Sequence, residues 1–338
     1  MKSETIIFKQ PGEVVFRKTN LDAPGSDEIL VRTRVTLIST GTELTMFSGK
    51  FPRKSVWDTI TKYPMRPGYC NAGVVEKTGD NVHEFHCGDR VVSNAPHGEL
   101  AFVNKERVMR IPRSISDEEA TFGILAQTVL NGIRLGQISL GECVVIVGLG
   151  LLGQMACQFS KLSGGFPVVA LDLSEKRLEV AKRLGATVAL KTEKGNDVSK
   201  QILEFTKGRG ADVVFEVTGN PKAIPWELNL VRSQGRIVIL GSPSGKTVFD
   251  FHDHVNWPSR TIIGAHASSH PSCETPYNPW TRRRNTELFF DLVTAGLVNV
   301  KELISAIYPW KEAKKVYHKL LDPMGERLET LGILLDFR

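Results

Sequence analysis

Residues 144–153 read Val-Val-Ile-Val-Gly-Leu-Gly-Leu-Leu-Gly, and no other run constrains the chain as tightly. Val144, Val145, Ile146 and Val147 are four β-branched residues in a row, the pattern of a strand buried on both faces. Gly148, Gly150 and Gly153 then space out G-x-G-x-x-G at the opening of a helix. This passage predicts a parallel βαβ unit that holds a dinucleotide. Gly148 permits the tight turn, Gly150 admits a close approach by pyrophosphate, and Gly153 lets the helix pack against the strand. The N–H groups of the first turn, at Leu151 and Leu152, together with the helix dipole attract the anion. A second apolar run, Val168-Val169-Ala170-Leu171, ends at Asp172, nineteen residues past Gly153. A carboxylate there accepts both ribose hydroxyls of an adenosine and repels a 2′-phosphate, so NAD is expected over NADP. Lys176 and Arg177 pull the other way, since a cation can accommodate that phosphate; Arg177 is expected along the adenosine ribose. A plain βαβ unit with a surface aspartate is the competing reading.

Strand and helix patterns alternate from Val144 to about Gly241, which predicts an α/β fold with a doubly wound parallel sheet. Ligands of such sheets lie at the carboxyl ends of the strands. Thr218 ends one strand, and Gly241 and Ser242 end the next, so these three are expected at the nicotinamide half. Thr128, on the preceding helix, is a weaker candidate. Residues 1 to about 120 carry short strand-like runs broken by glycine and proline, the pattern of a mostly β, barrel-like domain. The sequence Ser116-Asp117-Glu118-Glu119 reads as a capped helix start. The tail, with a helix near 287–295 and a strand near 331–335, is too short for a domain of its own. The expected division is therefore 1–122 with 265–338, and 123–264.

The 338 residues include 41% hydrophobic and 24% charged residues, ordinary values for a globular chain of two domains. A net charge of +6 suits anionic ligands, but the basic residues are scattered, and no nucleic-acid-binding stripe or motif appears. The five cysteines form no C-x-x-C pair, which argues for free thiols in a reducing compartment. No signal-peptide pattern and no run of about 18 apolar residues is present, so a cytoplasmic protein without membrane contact is expected.

Further motifs carry a family resemblance over essentially the whole chain. Gly68 and Gly73 fit G-H-E-x-x-G, Gly88-Asp89-Arg90-Val91 fits G-D-R-V, Leu140-Gly141-Glu142 fits the lead-in to the glycine turn, and Gly210-Ala211-Asp212-Val213 fits G-A-D-V. The chain so resembles the medium-chain dehydrogenase/reductase superfamily, the zinc-type alcohol dehydrogenase-like proteins. That resemblance implies a Rossmann domain beside a GroES-like barrel domain. Within it, Ser39-Thr40-Gly41-Thr42-Glu43 and Pro96-His97-Gly98-Glu99 are similar to a subgroup that includes bacteriochlorophyllide a dehydrogenase. Pro279-Trp280-x-Arg282 is similar to bacterial glycoside 3-dehydrogenases. Relatives commonly form homodimers or homotetramers through the edge strand of the nucleotide domain, expected here near 238–245.

The resemblance breaks at the metal. The positions it gives to zinc ligands hold Thr40, Tyr69, Cys70 and, near the central helix, Ile124, and the four-cysteine structural lobe is missing. Those residue types make no usable zinc site. No metal is expected, with Cys70 and His97 as a remnant pair the alternative. Chemistry without zinc still requires that the carbinol oxygen lose a proton and that developing charge be stabilised. Thr42 holds the family's proton-relay position. Tyr69, as a phenol of lowered pKa, is a candidate acid or base, and His97 a candidate proton shuttle. Glu43 orients neighbours or, if buried, acts as a base. Each has a plain structural alternative in turn, packing or capping. Arg282 and Arg284 are candidates for substrate contact. Among His252, His254, His266 and His270, one is a candidate pocket residue, and His252-x-His254 on a strand is a weak metal candidate. The expected activity is a zinc-independent, NAD-dependent interconversion of a secondary alcohol and a ketone on a small sugar, glycoside or cyclitol-like molecule. Its rivals are an enone or quinone reductase, a redox-neutral epimerase or eliminase with bound NAD, and a non-catalytic dinucleotide-binding protein.

Overall fold

A computed structural model describes residues 1–193, 198–322 and 325–338. The first strands in chain order are β1 (Lys2–Gln10), β2 (Glu13–Asn20), β3 (Glu28–Leu37), β4 (Asn71–Thr78), β5 (Arg90–Ser93), β6 (Leu100–Asn104) and β7 (Val108–Arg110). There follow β8 (Val144–Val147), β9 (Val168–Asp172), β10 (Val188–Lys191), β11 (Ala211–Glu216), β12 (Val231–Ile239) and β13 (Thr261–Gly264), and then β14 (Ile304–Pro309) and β15 (Gly332–Asp336). The chain divides into two compact units, Met1–Ile124 with Thr286–Arg338, and Leu125–Asn285. The return falls at Thr286 rather than at residue 265. Residues 265–285 stay with the second unit because they are tied to the helix Gly123–Gly136. Asn131 Nδ2 donates to Ser269 Oγ at 2.8 Å, Arg134 Nε donates to Asn285 Oδ1 at 3.2 Å, and the Arg134 guanidinium lies over the Trp280 ring.

The second unit is a six-stranded sheet in the order β10-β9-β8-β11-β12-β13, and every neighbouring pair is parallel. Each β8 residue is buried, as four β-branched residues in a row require. Val145, Val147, Val169, Val214 and Ile237 pack with Leu228 and Ile202 from covering helices into one core. The order places β12 inside the sheet, so the edge near 238–245 is corrected to β13, where Thr261 and Ile262 are exposed. The pair His252 and His254 lies in a π-helical turn, not on a strand, which removes the shared strand face that made it a metal candidate.

The first unit is a seven-stranded sheet beside a β1–β2 ribbon. One edge of β3 is shared, by β6 over Glu28–Arg32 and by β15 over Val35–Leu37, while β4 takes the other edge. Returning strand β15 thus completes the sheet from the far end of the chain. One core joins Ile6, Phe8 and Phe47 to Tyr317, Trp310 and Leu335; another lies around Val31, Val75 and Val91. Ser116 and Glu119 form the expected capping box at the helix Asp117–Ala120. Among the described residues, no helix is long and apolar enough to cross a membrane.

Candidate functional site

In the second unit the glycine turn has the geometry of an anion cradle. Gly148 adopts φ +93°, a left-handed conformation that suits glycine. Gly150 caps the helix Leu151–Leu162, and a side chain added there would meet nothing within 4 Å. A face left open over the free N–H groups of a twelve-residue helix fits a pyrophosphate. At the end of β9, Asp172 is 8% exposed and points back to this turn. Leu149 N–H donates to Asp172 Oδ2 at 2.6 Å and Ser174 N–H to Oδ1 at 2.9 Å. Each oxygen keeps a lone pair for a ribose hydroxyl. Arg177 Nη1 stands 3.9 Å from the same carboxylate. Thr218 and Ser242 are exposed and Gly241 half-buried beyond the carboxyl ends of β11 and β12. The residues present therefore fit a dinucleotide.

The structure joins β11 and β12 through a residue that motif reading passed over. Glu216, the last residue of β11, is fully buried; its Oε1 accepts from Thr218 Oγ1 at 2.6 Å and Gly219 N–H at 2.8 Å. Its main-chain oxygen accepts from Leu240 and Gly241 N–H at 3.0 and 2.8 Å. A glutamate closing the run Val213-Val214-Phe215 was the available signal, because a buried strand carries an acid only for a reason.

In the first unit the candidate catalytic residues separate into two connected layers. Tyr69 and Thr42 are half-buried. The Tyr69 phenol donates to Ser39 Oγ at 2.5 Å, with the Thr42 hydroxyl close by. Burial, the largest cause, pushes this phenol above its ordinary range against the downward pull of the Ser39 and Thr42 hydroxyls. The expected lowering is corrected: burial raises the phenol, so Tyr69 is a neutral proton donor. Glu43 and His97 are 1% and 0% exposed. Glu43 Oε1 accepts from Ser39 N–H at 2.8 Å; Oε2 bonds His97 Nε2 at 2.9 Å and accepts from Tyr317 O–H at 2.5 Å. His97 Nδ1 meets Thr36 Oγ1 at 2.7 Å. Because the Glu43 carboxylate only accepts, Nε2 carries the proton, and in the neutral ring Nδ1 takes the Thr36 hydroxyl. Gly68, at φ +96°, lies so close that an added Cβ would be 2.7 Å from the His97 ring. Both ring nitrogens are thus engaged below the surface, where His97 braces Glu43.

These donors do not fit a zinc site. Cys70 is fully buried, and burial, then Glu43, push its thiol well up. Tyr69 stays neutral, and the oxygens of Glu43 and nitrogens of His97 are engaged. Among the described residues, no group of three or more histidine, cysteine or acidic side chains stands together as a metal would need. The outlying candidates lie elsewhere. Arg282 Nη2 donates to the Ala267 carbonyl at 3.0 Å, and Arg284 lies over Trp280 and 4.0 Å from Glu274. His266 and His270 bond within their own loop, and His270 Nε2 also reaches the Gln127 carbonyl at 3.1 Å. Tyr317 went unread in the sequence, as nothing local marks a tyrosine that meets Glu43 from the other end of the chain.

Comparison with known proteins places these features. A family model described as alcohol dehydrogenase GroES-like domain matches residues 25–131, and one described as zinc-binding dehydrogenase matches residues 152–281. D-guloside 3-dehydrogenase of Escherichia coli (strain K12) is 26% identical over 329 residues, which cover 91% of this chain and 93% of that protein. An alcohol dehydrogenase from Escherichia coli CFT073, solved with NADH, superposes at a TM-score of 0.83 with 17% identity over 99% of both chains. A protein from Sinorhizobium meliloti 1021, solved with NADP, superposes at 0.82 with 20% identity over 99% of both chains.

Proposed function

Because the chain belongs to the medium-chain dehydrogenase/reductase superfamily of nicotinamide-dependent oxidoreductases, and its relatives include dehydrogenases acting on CH–OH groups, we propose that it interconverts a secondary alcohol and a ketone on a sugar, glycoside or cyclitol-like substrate, with NAD(H) and without zinc. The observation that carries this reading is the Ser39–Thr42–Tyr69 hydroxyl cluster, which stands among the positions the family gives to zinc ligands. The likeness to a D-guloside 3-dehydrogenase supports a polyhydroxylated substrate.

When bound, the nicotinamide supplies or takes the hydride. The protein supplies the rest. Gly150 and the helix Leu151–Leu162 receive the pyrophosphate, and Asp172 the adenosine ribose. Tyr69, held neutral by burial, turns its single O–H from Ser39 Oγ to the substrate oxygen and there stabilises negative charge as it forms. Thr42, half-buried and within reach of water, shares that oxygen, and the proton the alcohol loses on oxidation goes to bulk water. Beneath them, Glu43 fixes the Ser39 backbone, and His97 and Tyr317 fix Glu43. Edge strand β13, with Ile262 39% exposed, supports a homodimer or homotetramer.

Nicotinamide absorbance on chelator-treated protein, with NAD and a panel of glycosides, cyclitols and polyols, tests the reading. Turnover of a polyhydroxylated member, unchanged by the chelator, is expected. Activity that disappears on chelation and returns with zinc would remove the zinc-free half, and bound NAD without any turnover would remove the dehydrogenase itself.

The preference for NAD rests on the charge of Asp172. Asp172→Asn keeps an acceptor for Leu149 N–H but removes the repulsion of a 2′-phosphate, leaving Arg177 to attract it. The ratio of NADPH to NADH affinity should rise about tenfold or more. An unchanged ratio in fluorescence titrations would show that Asp172 does not set the choice.

A further inference from the structure

Beside Glu216 the second unit buries another carboxyl that the function so far leaves unused. Glu227 sits in the helix Ile224–Leu230, is fully buried, and neither carboxyl oxygen has a hydrogen-bond partner. Glu216 Oε2, likewise buried, has none either. Leaving such groups unpaired is costly, and two carboxylates in one apolar site cannot both stay charged. Geometry decides which one is neutral. Glu216 receives two donors, from Thr218 and Gly219, which favour its ionised form; Glu227 receives none, so it holds the proton.

Glu216 is also where the cofactor edge is knotted. Its side chain holds the Thr218–Gly219 turn, its carbonyl holds Leu240 and Gly241, and Oε2 lies so close to Gly241 that an added Cβ would be 2.7 Å away. Any push on this carboxylate reaches Thr218, Gly219 and Gly241 together. We propose that Glu227 is a positioning residue for the nicotinamide half of the dinucleotide site: neutral, it leaves Glu216 in place, and ionised, it repels Glu216 and loosens the edge that receives the dinucleotide. The inference rests on the dinucleotide reading of this unit.

The other charged groups facing this helix do not replace Glu216 in that role. The helix packs on β11, β12, the turn His252–Asn256 and the helix Val198–Phe205. On β11, Asp212 is paired with Arg232 of β12 at 2.5 Å. Arg236 of β12 is paired with Glu142, and in the turn His252 is paired with Asp253, while His254 bonds the Asp250 carbonyl. Lys200 and Glu204 are exposed on their helix. Among the described residues only Glu216 acts on Glu227 through its charge, and with burial, the larger cause, it pushes the Glu227 carboxyl up to about 9. The sign follows. A carboxyl raised in the folded state favours folding below its ordinary range, and that favour is lost as pH rises towards about 9.

The test is NADH binding, read by nicotinamide fluorescence at pH 6.5 and 9.5, beside the melting temperature of the protein without dinucleotide. The parent should bind NADH at least tenfold more weakly at pH 9.5. Glu227→Gln and Glu227→Leu, which cannot ionise, should change less than twofold between the two pH values and should lose less melting temperature on going alkaline. A merely structural glutamate would move the melting temperature but leave the pH dependence of binding the same in parent and variants, and that overturns the proposal. Parent binding that is flat across this range overturns it too. NADH that fails to bind at pH 6.5 defeats the dinucleotide reading itself.

Discussion

Glu43→Ala should destabilise the first unit by about 3 kcal/mol or more, since each of three buried donors left without an acceptor costs about 1–3 kcal/mol. The carboxylate accepts from Ser39 N–H, His97 Nε2 and Tyr317 O–H, all enclosed. Truncation leaves the three donors with no acceptor, and water cannot serve them without a cavity being opened. Burial, the largest cause of the raised Tyr317 phenol, remains in the variant, so the tyrosine does not adapt by ionising. Glu43→Gln should cost less, because the His97 tautomer can invert with Thr36 and the Tyr317 hydroxyl can accept from an amide. Chemical unfolding of the two variants beside the parent decides the matter. A loss below about 1 kcal/mol for the alanine variant, that of one ordinary hydrogen bond, would mean that the three donors find other partners.

The same network shows why one half of this molecule is legible in its sequence and the other is not. Gly148–Gly153 and Asp172 are local: strand period, turn glycines and a carboxylate at fixed spacing all report on one βαβ unit, and the structure seats them together. The family resemblance was legible for a similar reason, since its turns are fixed by glycines. What joins Glu43 to Tyr317 is β15 and the tail helix Ala313–Leu320, brought back against β3 and the β1 ribbon. Pairing over such a distance leaves no periodicity. The tail boundary was misplaced because residues 265–285 hold to the second unit by single polar contacts and an Arg134–Trp280 stack, which no pattern announces. Tyr69 was misjudged by its residue type, when its pKa is set by burial. Glu227 was partly legible: it lies three residues from Ile224 and from Leu230, on the apolar side of its helix.

Two glycines of one turn should fail differently, and the contrast tests whether this turn is a pyrophosphate cradle. A Cβ on Gly153 would stand 1.9 Å from the Gly148 carbonyl oxygen, which is main chain and cannot rotate away. In Gly153→Ala the helix Leu151–Leu162 must retreat from the turn, so the second unit should lose about 2–3 kcal/mol of stability, as overpacked cores do, along with dinucleotide binding. At Gly150 the backbone has φ −66°, which any residue accepts, and the added Cβ meets nothing. Gly150→Ala should therefore melt within about 1 °C of the parent, since an exposed substitution without strain changes stability by a few tenths of a kcal/mol. Yet its methyl group occupies the face over the helix N–H groups, and NADH affinity should fall at least about tenfold, or 1.4 kcal/mol. Calorimetric titration with NADH beside thermal melts separates the two effects. If Gly150→Ala binds like the parent, the pyrophosphate does not lie over this turn. If it melts early, the open face is filled by protein, and its loss of binding says nothing of the ligand. A variant folded as the parent and blind to NADH is the result that only a cradle explains.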